Sequence, residues 1–149
     1  MTAGHDGGPV HDDGAPAVRP TGAGPGRLLV AVYGVLALAG TARGAYQVGT
    51  KLAEAPVAYL LSLLAGLVYV VATVALATGR RRLAWATVLV EMVGVLVVGT
   101  LSVVDVGDFP DETVWSAFGR GYGYVPLVLP FLGVWWLRRT GAPASPVRR

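Results

Sequence analysis

Three long stretches of the chain, and a shorter fourth, carry almost no charge, and the polar residues between them fall in clusters. Leu28 to about Val48 is apolar apart from Arg43, Val57 to Thr78 has no charge at all, and Leu83 to Val104 is interrupted only by Glu91. Each reaches the roughly 20 residues that a helix rising 1.5 Å per residue needs to cross a hydrocarbon core about 30 Å thick. The fourth run, about Gly121 to Leu137, is shorter and contains Pro126 and Pro130. The pattern predicts an all-α fold: a four-transmembrane-helix bundle with spans at about 28–48, 57–78, 83–104 and 121–137.

The punctuation between the runs supports these boundaries. Lys51 and Glu54 precede Pro56, which suits the first turn of a helix. Gly79-Arg80-Arg81-Arg82 separates the second run from the third, and Arg138-Arg139 closes the fourth. Residues 105–120 form the longest loop and hold Asp105, Asp108, Asp111 and Glu112 against Arg120. Trp115 and Phe118 in this loop are expected at headgroup depth on the membrane surface, with the four acids in water. Residues 1–26 are rich in Gly, Pro, Ala and Asp without apolar periodicity, so a disordered cytoplasmic tail is expected there. Residues 27–139 then form the transmembrane domain, and residues 140–149 a second cytoplasmic tail. No basic stretch precedes the first apolar run, so a cleavable signal peptide is not expected.

Charge enters as an asymmetry between loops. The N-terminal tail, the Arg80–Arg82 turn and the C-terminal tail hold nine arginines, whereas the other two loops hold only Lys51 and Arg120. Cytoplasmic loops are enriched in Lys and Arg, so both termini are predicted to be cytoplasmic. Trp85, Trp135 and Trp136 lie near the arginines, and Tyr46, Tyr59, Trp115, Tyr122 and Tyr124 near the opposite interface, as amphipathic rings prefer.

Composition agrees with the membrane reading: 54% of residues are hydrophobic and only 14% charged. The net charge of +3 is too slight for a nucleic-acid signature, and no nucleic-acid partner is expected. The chain has no cysteine, which excludes disulfides, thiolate metal sites and thiol nucleophiles. No Ser-His-Asp set, HExxH motif or phosphate-binding loop is present, so neither an enzyme activity nor a cofactor is expected. His5-Asp6 and His11-Asp12-Asp13 are metal-ligand types, but a glycine- and proline-rich tail gives them no preorganised geometry.

Glu91 carries the candidate chemistry. It lies nine residues after Arg82, or about 13.5 Å into the membrane and close to its midplane. An ionised carboxylate at a helix centre costs roughly 2.5–3.5 kcal/mol on insertion scales, so Glu91 is expected to be protonated, hydrogen-bonded or facing water. Ala84, Thr87, Glu91, Gly94, Val98 and Ser102 recur at helical spacing as a small, partly polar stripe predicted to face protein, leaving Trp85, Leu89, Met92 and Leu96 toward lipid. A matching stripe on the second helix, Ala58, Ser62, Ala65, Tyr69 and Ala72, makes Tyr69 a candidate partner. The Pro126 carbonyl, freed by Pro130, is a candidate acceptor. Two roles stay open: a neutral acid that glues helices together, or a group that handles protons or cations. Arg43 is a third candidate for this site, although it lies about 10 Å from the level of Glu91 by helical rise and a snorkelling side chain also explains it. Arg80, Arg81 and Arg82 are candidates for anionic lipid headgroups, although marking topology is sufficient reason for them. Gly40-to-Gly44 and Ser62-to-Gly66 are small-xxx-small patterns, suited to packing within the chain or between chains.

Through APVAYLLS (55–62), VEMVGVLVVGTLS (90–102) and FPDETVWSAFGRGYGYVPLVLPFLGVWWLR (109–138), the chain resembles small four-helix integral membrane proteins of actinobacteria, a group without an assigned activity. The resemblance covers residues 28–139 and implies a bacterial plasma-membrane location. The chain also looks like the small multidrug resistance exporters in having four short helices and one membrane glutamate, but their glutamate is in the first span and Glu91 is in the third. That likeness is physical analogy. Two functions therefore fit the sequence: a non-enzymatic structural or accessory subunit, whose expected partners are the lipid bilayer and other membrane subunits or itself, and a small proton-linked transporter using Glu91.

Overall fold

The computed structural model describes residues 24–104 and 111–141, and all regular structure among them is helical. The elements are α1 (Pro25–Lys51), α2 (Pro56–Ala77), α3 (Arg81–Val104) and α4 (Val125–Arg139), with a 3₁₀-type segment, Ser116–Tyr122, leading into α4. Pro25 and Pro56 sit in the first turns of α1 and α2, where the N–H that proline lacks has no helical partner to lose. α1 therefore starts slightly inside the stretch expected as a tail. Most of that tail, residues 105–110 of the acidic loop and residues 142–149 lie outside the described residues. The α2–α3 turn is short because Gly79 takes φ +67°, letting Arg80 N–H reach back to the Ala75 carbonyl at 2.9 Å.

The helices form a ring in chain order: α1 packs on α2, α2 on α3, α3 on α4, and α4 returns to α1. Contacts between their ends show that neighbours run antiparallel. At one end Arg81, opening α3, donates to the Leu137 carbonyl and to Thr140 Oγ1 at the close of α4, and Gly26 of α1 lies against the Trp136 indole. Arg27, Arg80, Arg81, Arg82, Arg138 and Arg139 therefore gather at this end, while Lys51, Glu54, Asp111, Glu112 and Arg120 lie at the other.

α1 and α2 approach with little side chain between them. Gly40 faces Gly66, and a Cβ on Gly44 would lie 2.6 Å from the Leu63 backbone. The two small-xxx-small patterns thus pack on each other within the chain. The stripe Ala58, Ser62, Ala65, Tyr69 and Ala72 is buried, as are Ala84, Thr87, Glu91 and Val98, with Gly94 and Ser102 half-buried. Large apolar side chains instead point outward on every long helix: Leu38 is 76% exposed, Val93 60% and Phe131 52%. A continuous apolar exterior belongs in lipid rather than water. α1, α2 and α3 are long and apolar enough to cross a membrane.

α4 differs from the expected fourth span. It begins at Val125, not near Gly121, and its 15 residues span about 22 Å, short of a hydrocarbon core of about 30 Å. Gly121 and Tyr122 end the 3₁₀-type segment, and Gly123 and Tyr124 take φ +63° and +61°, which no α-helix accommodates. Pro130, inside α4, is buried against the bundle.

Candidate functional site

The centre of the ring is polar. Glu91 on α3 is completely buried, and its Oε2 accepts a 2.7 Å hydrogen bond from the Tyr33 hydroxyl across the ring on α1. Helical rise puts both groups at one level: Tyr33 is about 12 Å from the start of α1 and Glu91 about 15 Å from the start of α3, counted from the same end. Gly133 on α4 makes room for them, since a Cβ there would lie 3.0 Å from the Tyr33 hydroxyl and 3.1 Å from Val88. The Tyr69 ring packs beside Tyr33 with centroids 6.2 Å apart. One oxygen of the carboxyl, Glu91 Oε1, has no hydrogen-bond partner among the described residues. The proposed bonds from Glu91 to Tyr69 and to the Pro126 carbonyl are not among those formed; the bond goes to Tyr33 instead.

The Tyr69 hydroxyl accepts from Trp115 Nε1 at 3.0 Å. Trp115 is 2% exposed, and its ring lies in a slot where a Cβ on Gly94 would be 2.6 Å away. The loop before α4 therefore turns into the bundle, and the expectation that Trp115 lies at headgroup depth is corrected. Three side-chain hydrogen bonds and one backbone bond between Thr113 and Ser116 knot the turn that aims Trp115 inward, and Trp115 N–H donates to Thr113 Oγ1 as well. Ala117 N–H donates to Ser102 Oγ at 2.8 Å, which ties the turn to α3. Phe118 packs on Gly99, and Gly119 on Pro126. Ala117 and Phe118 hold φ of +46° and +60°, a conformation that costs roughly 1–2 kcal/mol for a residue with a Cβ. The burial of Trp115 and the packing of half-buried Phe118 on Gly99 supply the compensation.

Arg43 does not join Glu91. It is exposed, and its guanidinium donates to the Glu112 carbonyl at 3.3 Å. Glu112 also pairs with Arg120 at 2.8 Å, which raises the guanidinium pKa further above its ordinary value. Tyr59 donates to Asp111 at 2.8 Å. These bonds fasten the acidic loop to the ends of α1 and α2. Of the three arginines assigned to headgroups, Arg81 is engaged with the end of α4, while Arg80 and Arg82 are exposed. The His5 and His11 clusters lie outside the described residues.

Sequence reasoning placed Glu91 and Tyr69 near one level but missed Tyr33 and Trp115. Tyr33 carried a signal: it lies on the same helical face as Leu29, Ala37, Gly40 and Gly44, all buried. Trp115 carried none, because an aromatic in an acidic loop reads equally well at an interface or in a core. Family models, curated proteins and solved structures give no match to the chain.

Proposed function

We propose that the chain is a multi-pass integral membrane protein without enzymatic activity, serving as a structural or accessory subunit in a bacterial plasma membrane, akin to the small actinobacterial membrane proteins it resembles. α4 and the inward-turned Trp115 loop together make the fourth crossing, and the arginine-rich end with both termini faces the cytoplasm. The lipid bilayer surrounds the bundle, and other membrane subunits or a second copy meet its apolar exterior.

The observation that carries this reading is the Tyr33–Glu91 hydrogen bond at 2.7 Å between completely buried side chains. Together with the Trp115–Tyr69 bond, it joins α1 to α3 and the loop to α2. A buried polar network of this kind specifies how helices meet, because misregistered helices leave its members unpaired. The five main cavities among the described residues are lined by other side chains than Glu91, which stands packed between Tyr33 and the α3–α4 contact.

One observation favours the second reading, a small proton-linked transporter: among the described residues Glu91 Oε1 has no hydrogen-bond partner, which leaves it open to a proton. The test is proton release from purified protein on addition of a broad panel of candidate cations, wild type against Glu91→Gln. The structural role predicts no release that depends on Glu91, and Gln, which keeps the neutral hydrogen-bonding shape, leaves the fold nearly as stable. Release from the wild type that disappears in Glu91→Gln, with the fold intact, would overturn the purely structural role in favour of cation-coupled proton exchange.

A further inference from the structure

Two of the cavities at the arginine-rich end combine an arginine with Trp136 in their walls. One, of about 480 Å³, is lined by Arg27, Leu29, Val30, Leu76, Ala77 and Trp136, so that a single guanidinium stands at the rim of an otherwise apolar cleft between α1 and α2. The other, of about 330 Å³, has Arg81 and Thr140 in its wall. Trp135 continues the aromatic surface around the outside, with the Arg139 guanidinium 4.4 Å above its ring. Among the described residues this end holds no Asp or Glu, and Arg27 has no acid partner. α1 also has no acid in its first turn and no side-chain cap, so the positive end of its dipole adds to the arginine charge.

We infer that the cleft beside Trp136 is a binding site for one anionic phospholipid, its phosphate at Arg27 and the start of α1, and one acyl chain between α1 and the end of α2. The charge complementarity selects the occupant. A zwitterionic lipid brings its own cation into a field that is already positive, whereas a lipid such as phosphatidylglycerol brings only the phosphate. The apolar wall of Leu29, Val30 and Leu76 gives the chain a dry seat that a free anion does not use. The neighbouring cavity is less suited, because Arg81 already spends its donors on the end of α4. This site rests on the membrane reading of the three apolar helices and is independent of the role given to Glu91.

The test is native mass spectrometry of the full chain in mild detergent with equal amounts of phosphatidylglycerol and phosphatidylcholine. Phosphatidylglycerol should be retained in preference, and Arg27→Gln should reduce its retention about fivefold, the worth of one basic residue at an anionic surface. Arg27→Lys, which keeps the charge, should retain it, as should Arg120→Gln at the opposite end. Ala31 also lines the cleft, and Ala31→Trp, which fills it without changing charge, should expel the lipid. Glycerol phosphate in excess should fail to displace it. Equal retention of the two lipids, equal losses in Arg27→Gln and Arg120→Gln, unchanged retention in Ala31→Trp, or displacement by glycerol phosphate would each overturn the assignment. Unchanged thermal unfolding of Arg27→Gln separates lost binding from lost folding.

Discussion

Gly94 shows how one missing side chain shapes the interior. The sequence places it on the protein-facing stripe of α3, where a small residue suggests a neighbouring helix backbone. The neighbour is the Trp115 ring, 2.6 Å from where a Cβ would stand. Gly94→Leu should therefore drive Trp115 out of its slot, break the bond to Tyr69 and destabilise the fold by about 1–3 kcal/mol, as overpacking does. Met92→Leu, half-exposed on the lipid side, should stay within about 0.5 kcal/mol of wild type. Thermal unfolding in detergent checks both, and equal stability would reject the slot. The depth of Glu91 was legible from the distance to the flanking arginines. Its partner was not, because nothing in the sequence relates the rotation of α1 to that of α3, and Tyr33 meets Glu91 only once that rotation is fixed.

Among the elements, the α1–α2 pair is the closest. A Cβ on Gly66 would fall 2.7 Å from the Gly40 carbonyl carbon, whereas a Cβ on Gly49 would meet nothing within 4 Å. Gly66→Ala should thus wedge the helices apart and cost about 1–3 kcal/mol. Gly49→Ala, in the same helix as Gly40 but facing open space, should be neutral or stabilise by up to about 1 kcal/mol through helix propensity. Equal effects of the two alanines on thermal unfolding would contradict the packing. Both small-residue patterns were readable, but sequence alone left packing within the chain and between chains equally open. The length of α4 was overestimated for a different reason. The apolar character of Gly121 to Tyr124 continues the run, and hydropathy carries no record of the left-handed φ at Gly123 and Tyr124 that delays the helix to Val125.

For the whole molecule, the arrangement of ends makes a topological prediction. The antiparallel ring puts the α1–α2 turn on one side and the close of α4 on the other, and the arginine distribution assigns the latter to the cytoplasm. With no native cysteine, single cysteines at Leu52 and Ser145 can be labelled in intact cells with an impermeant maleimide. Leu52→Cys should react and Ser145→Cys should not until the cells are opened. The opposite pattern would invert the protein, and reaction of both would show that the chain crosses an odd number of times. Ser116, which hydropathy suggests as an external reporter, is only 7% exposed and unsuitable. The membrane class was legible because apolar runs dominate the chain. The inward turn of residues 113–119 was not, because it depends on Thr113 and Ser116, which resemble an ordinary polar loop, cooperating with Ser102 on α3.

The Tyr33–Glu91 bond holds α1 to α3. A double-mutant cycle of Tyr33→Phe and Glu91→Leu, followed by reversible unfolding in detergent, measures it. Each single change should leave the other buried group unpaired, so that the double variant loses less than the sum of the two, by about 0.6 to 1.7 kcal/mol, the range found for hydrogen bonds between membrane helices. Additive losses, with each single variant close to wild type, would contradict it.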